Sequence, residues 1–81
     1  MKVRVKLFAT LRDRSPERLD IGEAFTIKLN TDSTVIDLLD HLNILREEAK
    51  IVMINHTTVL DFRNPLKNGD EIAIFPPIGG G

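Results

Sequence analysis

The sequence predicts an α+β domain: a sheet of about five short strands with one main helix packed on one face. Three observations carry this expectation. The chain has 81 residues, 42% hydrophobic and 28% charged, which suits one globular core and leaves no room for a second. Apolar and polar residues alternate over residues 2–7 and again near residue 27, the period of a half-buried strand. Only one segment, residues 35–42, places its apolar residues at helical spacing.

The first strand is the clearest: Val3, Val5 and Leu7 alternate with Lys2, Arg4 and Lys6. From Thr10 to Asp20 the chain carries three arginines and Pro16 with little periodicity. This reads as a loop with room for one helical turn before the proline. Phe25, Ile27 and Leu29 alternate with Thr26 and Lys28, giving a second strand that pairs antiparallel with the first.

Residues 30–34 are Asn, Thr, Asp, Ser and Thr, the chemistry of a helix start. Ser33 or Thr34 can accept an N–H of the first turn, and Asp37 brings negative charge to the positive end of the helix. Val35, Leu38, Leu39 and Leu42 then form one apolar stripe, and Asn43 ends the helix. Ile44 to Lys50 reads as an irregular turn with Arg46, Glu47 and Glu48 in water. Ile51 to Ile54 is a short apolar strand, Asn55-His56-Thr57 a turn, and Thr58 to Leu60 a short edge strand. Asn64-Pro65 and Asn68-Gly69 mark further turns. The last strand runs from Glu71 to Phe75, with Ile72 and Ile74 on one face and Ala73 and Phe75 on the other. Pro76-Pro77 stops it, because neither residue can donate a ladder hydrogen bond.

Several function classes are disfavoured. A chain of this length buries only ~60% of the surface it exposes when unfolded, too little to enclose a deep active site and a large cofactor. Eleven basic and twelve acidic residues give a net charge of −1, no electrostatic basis for binding nucleic acid or an anionic membrane. Cysteine is absent, so disulfides, thiolate nucleophiles and zinc–thiolate sites are excluded. The first residues lack the apolar core of a signal peptide, and no run approaches the ~20 apolar residues of a membrane span. A cytoplasmic location is expected.

The ordinary catalytic side chains offer little. His41 reads as a solvated helix residue one turn after Asp37, and His56 lies in a polar turn. Asp37/Asp40 and Glu47/Glu48 read as solvated pairs and form no metal or glycosidase site. No residue is a credible general base with an orienting partner, so the chain is not expected to be catalytic alone, and neither a resident cofactor nor a metal is expected.

Two features exceed what the fold needs. Strand parity puts Phe8 on the side of Lys2, Arg4 and Lys6, and Phe75 opposite Ile72 and Ile74. If the first and last strands are neighbours, Phe8 and Phe75 form an apolar patch on the uncovered face, beside basic residues, which suits a protein-binding surface. The second is Phe75-Pro76-Pro77-Ile78-Gly79-Gly80-Gly81. The prolines favour an extended stretch, and the six residues from Pro76 reach roughly 20 Å. A strip without Cβ atoms can thread a partner's cleft and deliver its terminal carboxylate. Residues 76–81 are therefore expected as a flexible extended tail on a single domain spanning 1–81.

The run Asn68 to Gly81, with Phe-Pro-Pro-Ile-Gly-Gly-Gly at its end, resembles the carboxy end of the MoaD family, the small subunit of molybdopterin synthase. Val5 to Arg12 resembles that family's first strand and following turn, Val35 to Leu42 its helix, and Ile54-Asn55 its mid-chain strand end. The resemblance implies a ubiquitin-like β-grasp fold and a sulfur carrier. It implies that an ATP-dependent MoeB-like activating enzyme adenylates Gly81. A sulfurtransferase persulfide then converts it to a thiocarboxylate. In a heterotetramer with a MoaE-like large subunit, this donates sulfur to cyclic pyranopterin monophosphate. Gly80 and Gly81 are then the reactive end, and Phe8, Arg12, Phe75, Pro76, Pro77, Ile78 and Gly79 contact partners. Gly79 departs from the small or polar residue common before the final Gly-Gly. One extra residue after Asn55 leaves a further apolar contact open among Thr58, Val59 and Leu60. Other readings are a ubiquitin-like protein modifier, a thiazole-pathway sulfur carrier, and a β-grasp interaction module without acyl chemistry.

Overall fold

The computed structural model describes residues 1–16 and 22–77. Five strands form one sheet: β1 (Lys2–Leu7), β2 (Phe25–Lys28), β3 (Ile51–Ile54), β4 (Thr57–Thr58) and β5 (Glu71–Phe75). Their order is β2-β1-β5-β3-β4. The first and last strands lie side by side and parallel at the centre, and the other pairings are antiparallel. Among the described residues there is one α-helix, α1 (Val35–His41), between β2 and β3, and the arrangement is a β-grasp.

Alternation decides which face is covered. Val3, Val5 and Leu7 of β1, Phe25 and Ile27 of β2, Val52 of β3, and Ile72 and Ile74 of β5 all point inward. They meet Val35, Leu38, Leu39 and Leu42 from the helical stripe in one core. Val5, Val35, Leu38, Val52, Ile72 and Ile74 have no measurable exposure. Each such side chain contributes on the order of 1.5–3 kcal/mol by leaving water.

Both helix ends are built from local chemistry. At the start, Thr34 is the cap: the Asp37 N–H donates to Thr34 Oγ1 (3.3 Å) and the Thr34 N–H donates to Asp37 Oδ2 (2.8 Å). Asp37 thus does more than place charge near the helix dipole. At the end, Asn43 adopts φ +57, and the N–H groups of Asn43 and Ile44 donate back to the carbonyls of Asp40 and Leu39. This is a Schellman closure, and Ile44 and Leu39 add its apolar contact within the core.

The helical turn expected before Pro16 is present, and two other expectations need correction. The loop after β1 holds a six-residue 3₁₀ helix, Ala9–Arg14, because Leu11 is drawn into the core and winds the chain around it. The edge strand is Thr57–Thr58 rather than 58–60, since the turn uses only Asn55 and His56. Both residues take left-handed φ (+50 and +71), as a two-residue type I′ hairpin requires. Glu48 is not simply in water: Arg14 Nη1 and Nη2 donate to Glu48 Oε1 and Oε2 at 3.0 and 2.8 Å.

Candidate functional site

The site is built on the sheet face that α1 leaves uncovered. Pairing Leu7 with Ile74 continues into a Phe8 N–H bond to the Ile74 carbonyl (3.3 Å), which brings Phe8 alongside Phe75. Their rings stack with centroids 4.4 Å apart and planes 11° apart. Both are half-buried. Across β5, Phe75 pairs with Ile51 of β3, which is 40% exposed. Phe8, Phe75 and Ile51 therefore form a continuous apolar row over three strands. One step along the strands, Ala73 lies between Lys6 and Met53 on the same face. The structure thus joins the two aromatics that parity placed outside and adds Ile51 and Met53.

Residue 9 fixes where this row ends. Ala9 takes φ +52, turning the chain out of the sheet directly after Phe8, and the Leu11 N–H then donates to the Phe8 carbonyl (3.1 Å). Buried Leu11 holds the start of the 3₁₀ helix, and Arg14 holds its end. Besides its bidentate pair with Glu48, Arg14 donates to the Asn43 carbonyl at 2.6 Å. The Arg14 guanidinium, together with the Leu45 N–H, holds the Glu48 carboxyl below the usual glutamate range. Arg12 is exposed on this anchored segment.

The other end of β5 is latched in the same way. The Asn55 N–H donates to the Glu71 carbonyl (2.8 Å), the Glu71 N–H to Asn55 Oδ1 (3.0 Å), and Asn55 Nδ2 to Asp70 Oδ1 (2.9 Å). These bonds fix the register that sets Phe75 opposite Ile51. Glu71 faces outward, 3.2 Å from Lys6 Nζ and 3.8 Å from Arg4 Nη1. Lys6, as donor and as charge, holds its carboxyl below the usual range.

Beyond Phe75, Pro76 is half-buried and Pro77 exposed. Ile78, Gly79, Gly80 and Gly81 lie outside the described residues. Of the three candidates after the hairpin, Thr58 pairs with Met53, Val59 packs against the core, and Leu60 is 93% exposed. Leu60 is the apolar residue left in solvent. Asp37 belongs to the helix cap, and His41 and His56 are exposed. Among the described residues, no group of three or more His, Asp or Glu side chains is placed to hold a metal ion. No helix among them is long and apolar enough to cross a membrane.

An outward aromatic stack at the root of a Pro-Pro-Ile-Gly-Gly-Gly segment separates this sheet from an ordinary α+β core, and the whole of it falls within residues 5–81, which match the ThiS family. The chain belongs to the ThiS family. It is 43% identical over 35 residues to the molybdopterin synthase sulfur carrier subunit of Escherichia coli, a match covering 43% of each chain. It is similar throughout to SAMP1 of Haloferax volcanii, with 25% identity, full coverage of both chains and a TM-score of 0.70. It is also similar to a chain in the complex of subunits 1 and 2 of molybdopterin-converting factor from Helicobacter pylori. That match has 28% identity, full coverage of both chains and a TM-score of 0.60. The ubiquitin-like fold of this ThiS-family chain is thereby shown.

Proposed function

We propose that this ThiS-family chain is the sulfur carrier subunit of a molybdopterin synthase, with Gly81 as the terminal residue that carries the sulfur. The observation that carries this reading is the Phe8–Phe75 stack on an open sheet face, directly at the root of Pro76 and Pro77. An apolar anchor there docks the body while the glycine segment reaches the chemistry, a division suited to a chain without a credible base of its own.

The chemistry follows from the leaving group. A carboxylate is a poor acyl donor, so the Gly81 carboxylate attacks the α-phosphorus of ATP in a MoeB-like activating enzyme and releases pyrophosphate. The acyl adenylate is then attacked by a sulfurtransferase persulfide, and AMP departs. A thiol cleaves the resulting S–S bond, leaving a thiocarboxylate on Gly81. Docked on a MoaE-like large subunit, in a heterotetramer, that sulfur attacks a carbon of cyclic pyranopterin monophosphate and displaces an oxygen substituent. Water then cleaves the resulting thioester, leaving the sulfur on the pterin and restoring the Gly81 carboxylate. A dithiolene holds two sulfurs, so loading occurs twice. Gly80 and Gly79 allow close approach of the backbone in both partners' clefts, and Ile78 supplies one apolar contact along the way. Arg12 and Leu60 extend the contact beyond the stack. The sulfur carrier name of the Escherichia coli relative and the two-subunit complex from Helicobacter pylori support this reading.

A second reading shares the adenylation and changes the acceptor: a lysine amine gives an isopeptide. The likeness to SAMP1 of Haloferax volcanii, which covers both chains in full, favours keeping it. The test of the common step is ATP–pyrophosphate exchange with the activating enzyme. Exchange with the intact chain and none after deleting Gly80 and Gly81 is expected. Equal exchange by both would defeat the proposal.

A further inference from the structure

The uncovered sheet face has a second half that the aromatic row does not use. Lys2, Arg4 and Lys6 of β1 point to it, opposite Val3, Val5 and Leu7, and Lys28 of β2 pairs with Lys2. Glu71 is the one carboxylate in the described strands on this face, and Lys6 and Arg4 already share it. Lys2 and Lys28 are exposed, and no acidic side chain among the described residues lies within ion-pair distance of either. The chain as a whole carries −1, so this concentration of cations is offset elsewhere. Asp37, Asp40 and Glu47, all exposed, belong to the helix and the turn after it. Alternation along β1 makes the cation stripe continuous with the apolar row, Lys6 leading into Phe8.

We propose that this stripe steers the chain onto an acidic protein surface that borders the pocket receiving Phe8 and Phe75. The inference rests on the docking reading above and adds the chemistry of the partner: carboxylates facing Lys2, Arg4 and Lys28. A protein fits better than a nucleic acid. The two rings already cover one face of each other, which removes that surface for stacking bases, and Glu71 sits among the cations. Charges at the rim of an interface raise the association rate and lose their effect in salt, whereas the desolvated anchor sets the dissociation rate.

The test uses the molybdopterin synthase large subunit of the same organism and stopped-flow association at two salt concentrations. The double substitution Lys2→Glu with Lys28→Glu is expected to slow association at least ~10-fold at low ionic strength while dissociation stays within about 2-fold. The gap should close at high salt. Both side chains are exposed and, among the described residues, bond nothing, so the melting temperature should not move. An unchanged association rate, or a loss that persists in high salt, overturns the steering role while leaving docking intact. Wild-type binding of comparable strength to phosphatidylserine vesicles or a single-stranded oligonucleotide overturns the protein partner. Self-association abolished by the substitution overturns it in favour of a second copy. Wild type that fails to bind the large subunit removes the docking reading, and the inference with it.

Discussion

Replacing Phe75 by alanine separates what the aromatic row does for the fold from what it does for docking. The ring is half-buried, so truncation forfeits about half of the ~1.5–3 kcal/mol that full burial provides. Losing the 4.4 Å stack on Phe8 removes a further ~0.5–1.5 kcal/mol. Unfolding stability should therefore fall by roughly 1–3 kcal/mol, read by urea titration of the isolated chain. A domain of this size retains a folded majority after such a loss. Affinity for the large subunit should fall independently by about 1–3 kcal/mol, or roughly 5- to 150-fold in Kd, because a central aromatic anchor leaves its pocket empty. Calorimetric titration at a temperature where both proteins are folded measures this directly. Phe8→Ala should behave alike, and the double variant should lose less than the sum, since each ring is the other's neighbour. A Phe75→Ala chain that is destabilised yet binds within twofold of wild type would refute the interface and leave the stack a purely structural pair.

Three further outcomes follow. Leu38→Ala, at a fully buried position of the helical stripe, should cost ~2–5 kcal/mol by transfer loss and cavity formation, measured by the same titration. Adding one residue after Gly81, or changing Gly80 to a bulky residue, should abolish activation and leave the melting temperature nearly unchanged; a large fall in melting temperature would mean the tail is structural. The Glu48 and Glu71 carboxyls are held below their ordinary range by Arg14 and Lys6, so their contribution is present above that range and is lost as pH falls through the lowered folded values. Thermal melts between neutral and acid pH should decline there, and Glu48→Gln with Glu71→Gln should flatten the decline.

Local rules made much of this molecule legible. The period of two located β1, β2 and β5, and helical spacing located α1. The polar run ending in Ser33 and Thr34 announced a cap without deciding between the two or showing that Asp37 closes it. Parity put Phe8 and Phe75 outside before any pairing was known, because facing follows from alternation alone. Ile51 and Met53 escaped notice since Ile51 to Ile54 is apolar throughout, and such a run has no visible parity until the partner strand sets its register. The β3–β4 hairpin was displaced by one residue because Asn55 and His56 both adopt left-handed φ, so two residues close a turn where the sequence suggests three. The Arg14–Glu48 pair joins residues 34 positions apart, and charge alone cannot reveal such a partner. Among Thr58, Val59 and Leu60, only the structure shows that Val59 packs against the core and that Leu60 is the apolar side chain left in solvent.

Whether Gly81 carries sulfur is best decided by intact-mass measurement of the chain isolated from its native host, together with peptide mapping of lysines. The expected result is a population heavier by the replacement of one oxygen with sulfur, located at Gly81 and lost when the activating enzyme is deleted. Unmodified chain throughout, or Gly81 found only in isopeptide linkage to lysines, would contradict it.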